Sequence, residues 1–124
     1  MAKWINAEAA NADLAWIRDN TLIICACGTQ PTTAAQATAA TYALGTLAYA
    51  TSLWTLAAGD TAGGRKITAG AATIAITASG TVNHIAFCNT GTLTVVATCA
   101  PTAVTSGGTL IVNAFDANEV GTIA

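Results

Sequence analysis

From residue 67 to residue 115 the chain carries no Asp, Glu, Lys or Arg, and through much of that stretch apolar and small polar residues alternate. Period-two alternation sends successive side chains to opposite faces of an extended strand. Ile74 and Ile76 thus share one face, and Thr73 and Thr77 the other. The same rhythm runs through 66–69, 72–78, 81–89, 92–99 and 109–115. Ser79-Gly80, Asn89-Thr90-Gly91 and Ser106-Gly107-Gly108 supply turns, and Pro101 closes a strand. Strands at a spacing of about 8–12 residues with such turns predict an antiparallel β-sandwich or barrel, here laid out as a meander from residue 66 onward.

Upstream, the period changes. Residues 4–19 (WINAEAANADLAWIRD) contain no Gly or Pro and are rich in helix formers, which predicts an N-terminal α-helix. On a helical wheel its apolar residues fall into two stripes. Ala7, Ala10, Leu14 and Ile17 form one, and Ile5, Ala9, Ala12 and Trp16 the other. Two stripes suggest two packing partners: Leu14 and Ile17 against the β domain, Trp16 and Ile5 toward a neighbour. The alternative is that both stripes bury under one domain. Residues 21–27 are β-branched and apolar and read as a strand, followed by a turn at Gly28-Thr29-Gln30-Pro31. Residues 32–40 allow a short helix capped by Thr32 or Thr33, and extended structure is expected within 43–54. Residues 59–66 hold three of the chain's ten charges and read as a solvent-facing loop. With 124 residues the whole chain, 1–124, fits a single domain: a helix over 4–19, then mostly β over 21–124.

Charge decides which functions remain open. Only 8% of residues are Asp, Glu, Lys or Arg, against about 25% in an ordinary soluble domain. Flat surfaces of Ala, Thr and Gly immobilise little side-chain entropy on contact, so such a chain is suited to packing against other subunits. Four basic residues (Lys3, Arg18, Arg65 and Lys66) are too few to line a nucleic-acid track. Both long uncharged stretches, 20–59 and 67–115, are interrupted throughout by Thr, Gly, Asn or Pro, so neither reads as a membrane span. Asn6, Glu8, Asn11 and Asp13 break any apolar core of a secretion signal, and synthesis in a cytoplasm is expected. Cys25, Cys27, Cys88 and Cys99 are then expected as buried free thiols, with no C-x2-C pair to suggest zinc.

Little else in the sequence points to chemistry. His84 and Cys88 face the same way on one strand but stand about 13 Å apart at about 3.3 Å per residue, too far for a nucleophilic pair. Residues 116–119 offer oxygen ligands without the calcium-loop pattern. Residues 59–67 approach a phosphate-binding loop, but Arg65 and Lys66 stand where Lys and Ser or Thr are required. A non-enzymatic protein without catalytic, cofactor-binding or metal residues is the expectation.

Six segments together resemble a family of small structural proteins of tailed bacteriophages. These are Trp4-Ile5-Asn6-Ala7 with Asp13-Leu14; 21–25; Pro31-Thr32-Thr33-Ala34 with Ala37; 80–88; 105–109; and Ala114-Phe115-Asp116. None of them is chemically specific. The resemblance implies a late virion protein on the capsid surface, a decoration or cement protein that binds the major capsid protein and copies of itself. A trimer would match local capsid symmetry. The residues expected at such interfaces are Ile5, Trp16, Trp4 and Trp54. A second class is a fibre or tail module recognising glycans, for which Trp54, Tyr42 and Tyr49 are the available aromatics.

Overall fold

The computed structural model describes residues 14–58 and 65–120. Residues 14–19 are helical (α1), and the expected first two-thirds of that helix lies outside the described residues. There follow β1 (Ile23–Cys27), α2 (Ala34–Thr38), β2 (Ala43–Ala48), a 3-10 turn at Thr51–Leu53, β3 (Trp54–Ala58), β4 (Arg65–Ala69), β5 (Ala72–Ala75), β6 (Gly80–Cys88), β7 (Leu93–Val104), β8 (Thr109–Val112) and β9 (Phe115–Val120). All pairings are antiparallel. A four-stranded sheet has the order β2-β1-β6-β7; opposite it lie a three-stranded sheet, β3-β4-β9, and a two-stranded one, β5-β8. The fold is mainly β and sandwich-like, as the alternation predicts.

The meander does not form. Of the strands from residue 65 onward, only β6 and β7 are neighbours both in sequence and in a sheet. Instead β4 pairs with β9, β5 with β8 and β6 with β7, so residues 65–120 form one long hairpin folded over itself. Between the pairs Thr68↔Asp116 and Val82↔Thr102 the register never slips: each step out along one arm is matched by one step back along the other. The chain reverses at Asn89–Thr92, where the Asn89 side chain accepts from the N–H groups of Gly91 (2.9 Å) and Thr92 (2.7 Å). The other expected turns are corners at which both arms bend together. At one of them Ser106 N donates to Ser79 Oγ (2.9 Å), Gly107 N to Ile76 O (2.8 Å) and Ile76 N to Gly108 O (2.9 Å). Gly107 sits there at φ +89°, a left-handed conformation that favours glycine.

The main core lies between the sheets. Ile24, Ala26, Ile85 and Phe87 point inward from one layer to meet Ile67, Ala69, Ile74 and Trp54 from the other. Leu14 and Ile17 of α1 join this core while Trp16 is 51% exposed, so the described part of the first stripe packs on the chain's own domain. Thr21, fully buried, ties α1 down: its hydroxyl donates to Ile17 O (2.7 Å) and lies 2.6 Å from the Thr94 hydroxyl of β7. The opposite face of the four-stranded sheet has its own small core. Cys25, Cys27, Ala86 and Cys88 are covered there by Ala34 and Ala37 of α2. That helix is capped by Thr33, whose hydroxyl accepts from Gln36 N (3.2 Å), while Gln36 Oε1 accepts from Thr32 N (2.8 Å) and Thr32 Oγ1 (2.9 Å).

Arg65, assigned to a loop by its charge, begins strand β4, followed by Lys66, where the loop and the alternating run 66–69 were expected to meet. Lys66 Nζ donates to Asp116 Oδ2 across the β4–β9 pair (3.1 Å), and Thr68 Oγ1 donates to Asp116 Oδ1 (2.9 Å). A cross-strand carboxylate therefore holds in a sheet a residue that composition alone places in solvent.

Candidate interaction surface

Among the residues expected at an interface, Trp54 is not at the surface. It is 5% exposed, and its ring meets Tyr49 at 5.4 Å and Phe87 at 5.0 Å between centroids. Tyr49 is 1% exposed, donates its hydroxyl to Gly70 O (2.6 Å) and is pushed up to about 12 by burial, against the opposing effect of that hydrogen bond. Tyr49 meets both Trp54 and Phe87 edge to face, and the Trp54 and Phe87 rings are tilted against each other, so the three form one buried aromatic cluster. Trp54 and Tyr49 are thus removed both from the interface and from any glycan platform; Tyr42 is half-buried. Trp4 and Ile5 lie outside the described residues.

The structure brings Cys27 opposite His84 on adjacent strands β1 and β6, a juxtaposition that sequence could not give. The thiol is held in its neutral form there. Burial pushes the Cys27 thiol up to about 11, with the nearby Cys88 adding to the effect. A thiol with that pKa is ionised to only about one part in ten thousand at neutral pH. Its S–H points at Ala37 O (3.7 Å). Cys25 and Cys88 are likewise raised by burial. All four cysteines are free, three of them buried and Cys99 half-buried. Among the described residues no group of three or more His, Cys, Asp or Glu side chains is placed to share a metal ion, and no helix is long and apolar enough to cross a membrane.

What the surface does offer is apolar. Trp16 (51% exposed) and Leu22 (52%) stand where α1 runs into β1, and Ile111 of β8 is 68% exposed. Ile111 flanks an open groove of about 340 Å³ between β7 on one side and β8 and the start of β9 on the other. Val82, Ile85, Cys99, Leu110, Val112 and Phe115 line it. Its inner end reaches the core through Phe115, whose ring is 5.9 Å from that of Phe87. No formal charge lies among the lining residues. The sequence did hold a signal for this site. Within 109–115, read above as alternating, Leu110-Ile111-Val112 are three apolar residues in a row, and on a strand the middle one must face away from its neighbours.

Comparison of the chain with protein families, with curated proteins and with solved structures finds no match.

Proposed function

We propose that the protein is a virion structural subunit of a tailed bacteriophage, a capsid decoration protein that stabilises the head by packing against the major capsid protein and against copies of itself. The observation that carries this reading is the exposure of Trp16 and Leu22 on a chain with so few charges. A half-exposed Trp beside a buried anchor pair resembles an interface anchor more than a stabilising core residue, since buried Trp side chains dominate many interfaces. The sparse charge supports the same reading, because little repulsion opposes close packing of subunits. A fibre or tail module holding a glycan is the weaker reading, because Trp54 and Tyr49 are inside the core.

Uptake onto phage shells assembled without the protein tests the proposal. Wild-type chain is expected to bind shells saturably. Trp16→Ala should fold normally and bind about tenfold more weakly or worse. Absence of wild-type uptake, or a Trp16→Ala variant that binds as wild type, counts against the decoration role of this surface.

A further inference from the structure

Strand β7 ends its sheet, and among the described residues no strand pairs with its outer edge. An edge strand presents a row of N–H and C=O groups that can template another strand, and proteins blunt such edges with charge, proline or bulges. In β7 the proline and the larger bulge fall together in the second half: Pro101 lies in the segment where the pairing shifts between Val82↔Thr102 and His84↔Thr98. Residues 93–98 (LTVVAT) contain neither proline nor charge. The smaller shift, between Phe87↔Val95 and Cys88↔Leu93, leaves Thr94 as an extra residue; from Val95 to Thr98 the ladder is regular, and among the described residues nothing guards its outer side.

The other flank of the same sheet is engaged by the chain itself. In β2 the Leu44 carbonyl accepts from the N–H groups of Thr77 (2.8 Å) and Ala78 (3.2 Å). A head-to-tail pairing of β7 on β2 would compete with those bonds. Pairing of β7 with β7 of a second copy competes with nothing described. Such a two-fold pairing sets each side chain near its own counterpart, so a charged residue would face its like. The chain has no charge from residue 67 to residue 115, and no such repulsion arises.

We infer that residues 95–98 of β7 pair antiparallel with the same residues of a second copy about a two-fold axis, joining the two four-stranded sheets into one and the two apolar grooves into a shared interior. An axis normal to the joined sheet keeps the second layers of both copies on the same side. The two β8 strands then approach each other across the axis, and Ile111, so exposed in one copy, gains apolar surroundings. The occupant of the groove is therefore the partner's β7–β8 flank. This rests on the self-packing half of the reading above and names the surface that performs it.

Sedimentation equilibrium on the full chain alone, without shells, reads this interface. A dimer is expected, with Ile111→Glu and Thr98→Lys each raising its dissociation constant about tenfold or more. Both positions are exposed, so both variants should melt with the wild type at concentrations where the chain is monomeric. Trp16→Ala should leave the dimer constant unchanged. A wild-type monomer at every concentration overturns the inference, and so does a dimer that neither substitution weakens. Shell uptake measured separately keeps the two ideas apart. A chain that dimerises through β7 yet ignores shells supports this inference and sinks the decoration role.

Discussion

The two flanks of the sandwich finish their sheets by different means. At the β2 flank the ladder with β1 shifts between Ala26 and Cys27, leaving Leu44 as an extra residue whose carbonyl is taken by Thr77 and Ala78. Gly45 beside it allows the next layer to come close: a Cβ there would stand 2.5 Å from Ala75 O and 3.0 Å from Ile74 Cγ2. The backbone of one layer thereby closes the other. At the β7 flank no such crossing occurs, and the layers splay into the groove beneath Ile111. Both sides are uncharged and rich in Ala, Thr and aliphatic residues. What separates the flanks is the carbonyl that Leu44 offers to the other layer and the missing side chain at Gly45, not hydrophobicity.

If that contrast is right, the largest effect should come from the closed side. Ile74 is fully buried against Gly45, and Ile74→Ala is expected to cost about 2–5 kcal/mol in denaturant unfolding. Its near neighbour across the β5–β8 pair, Ile111, provides the opposite case. Gly45→Ala should be next, at about 1–3 kcal/mol, because the atom in the way is backbone and cannot swing aside. A loss below about 0.5 kcal/mol there would mean that the flank is looser than described.

The thiols divide along the same line. Cys27, paired with Ala43 of β2, is fully buried, whereas Cys99 lines the groove and is half-buried. A small alkylating reagent on the native protein should modify Cys99 first and reach Cys25, Cys27 and Cys88 only on unfolding. Preferential modification of Cys27 would invert the assignment of the flanks. Burial raises Cys27 from an ordinary 9.0 to about 11, so the folded state favours the neutral thiol. Its contribution is complete below pH 9, where both states are protonated, and is lost as pH rises from 9 to 11 while only the unfolded thiol ionises. Melting temperature should fall across that window, and Cys27→Ala should flatten the fall. The smallest effect is expected on the open side. Ile111→Ser should change stability by no more than about 0.5 kcal/mol at concentrations where the chain is monomeric.

Local features were legible wherever a short stretch of sequence decides the outcome by itself. A helix cap at Thr32 or Thr33, of which Thr33 serves, and Asn89 at the reversal follow from hydrogen bonds within four residues, and the three-residue spacing of Leu14 and Ile17 sets them on a different helix face from Trp16. Pairing at long range was not. Ser79-Gly80 and Ser106-Gly107-Gly108 have the composition of reversals, but they lie opposite each other on the two arms of one hairpin, and nothing local distinguishes a corner from a turn. Trp54 and Tyr49 failed for a related reason: an aromatic count gives the size of a side chain but not its side of the sheet. The groove is harder still, because its walls come from β6, β7, β8 and β9 and exist only once residues 65–120 have folded back on themselves.

That folded hairpin also bears on how the chain can reach its structure. Once the reversal at Asn89–Thr92 has formed, each further pair closes only a small additional loop, so the search grows outward from the tip and never has to join distant segments in one step. Topologies rich in distant contacts fold slowly, yet here the distance between β4 and β9 is spanned by pairs already made. The same order run backwards sets where the molecule opens. Hydrogen exchange should be fastest at the β4–β9 end and slowest near Phe87, which makes the seam between the hairpin's two ends, rather than its tip, the place where the native state first comes apart.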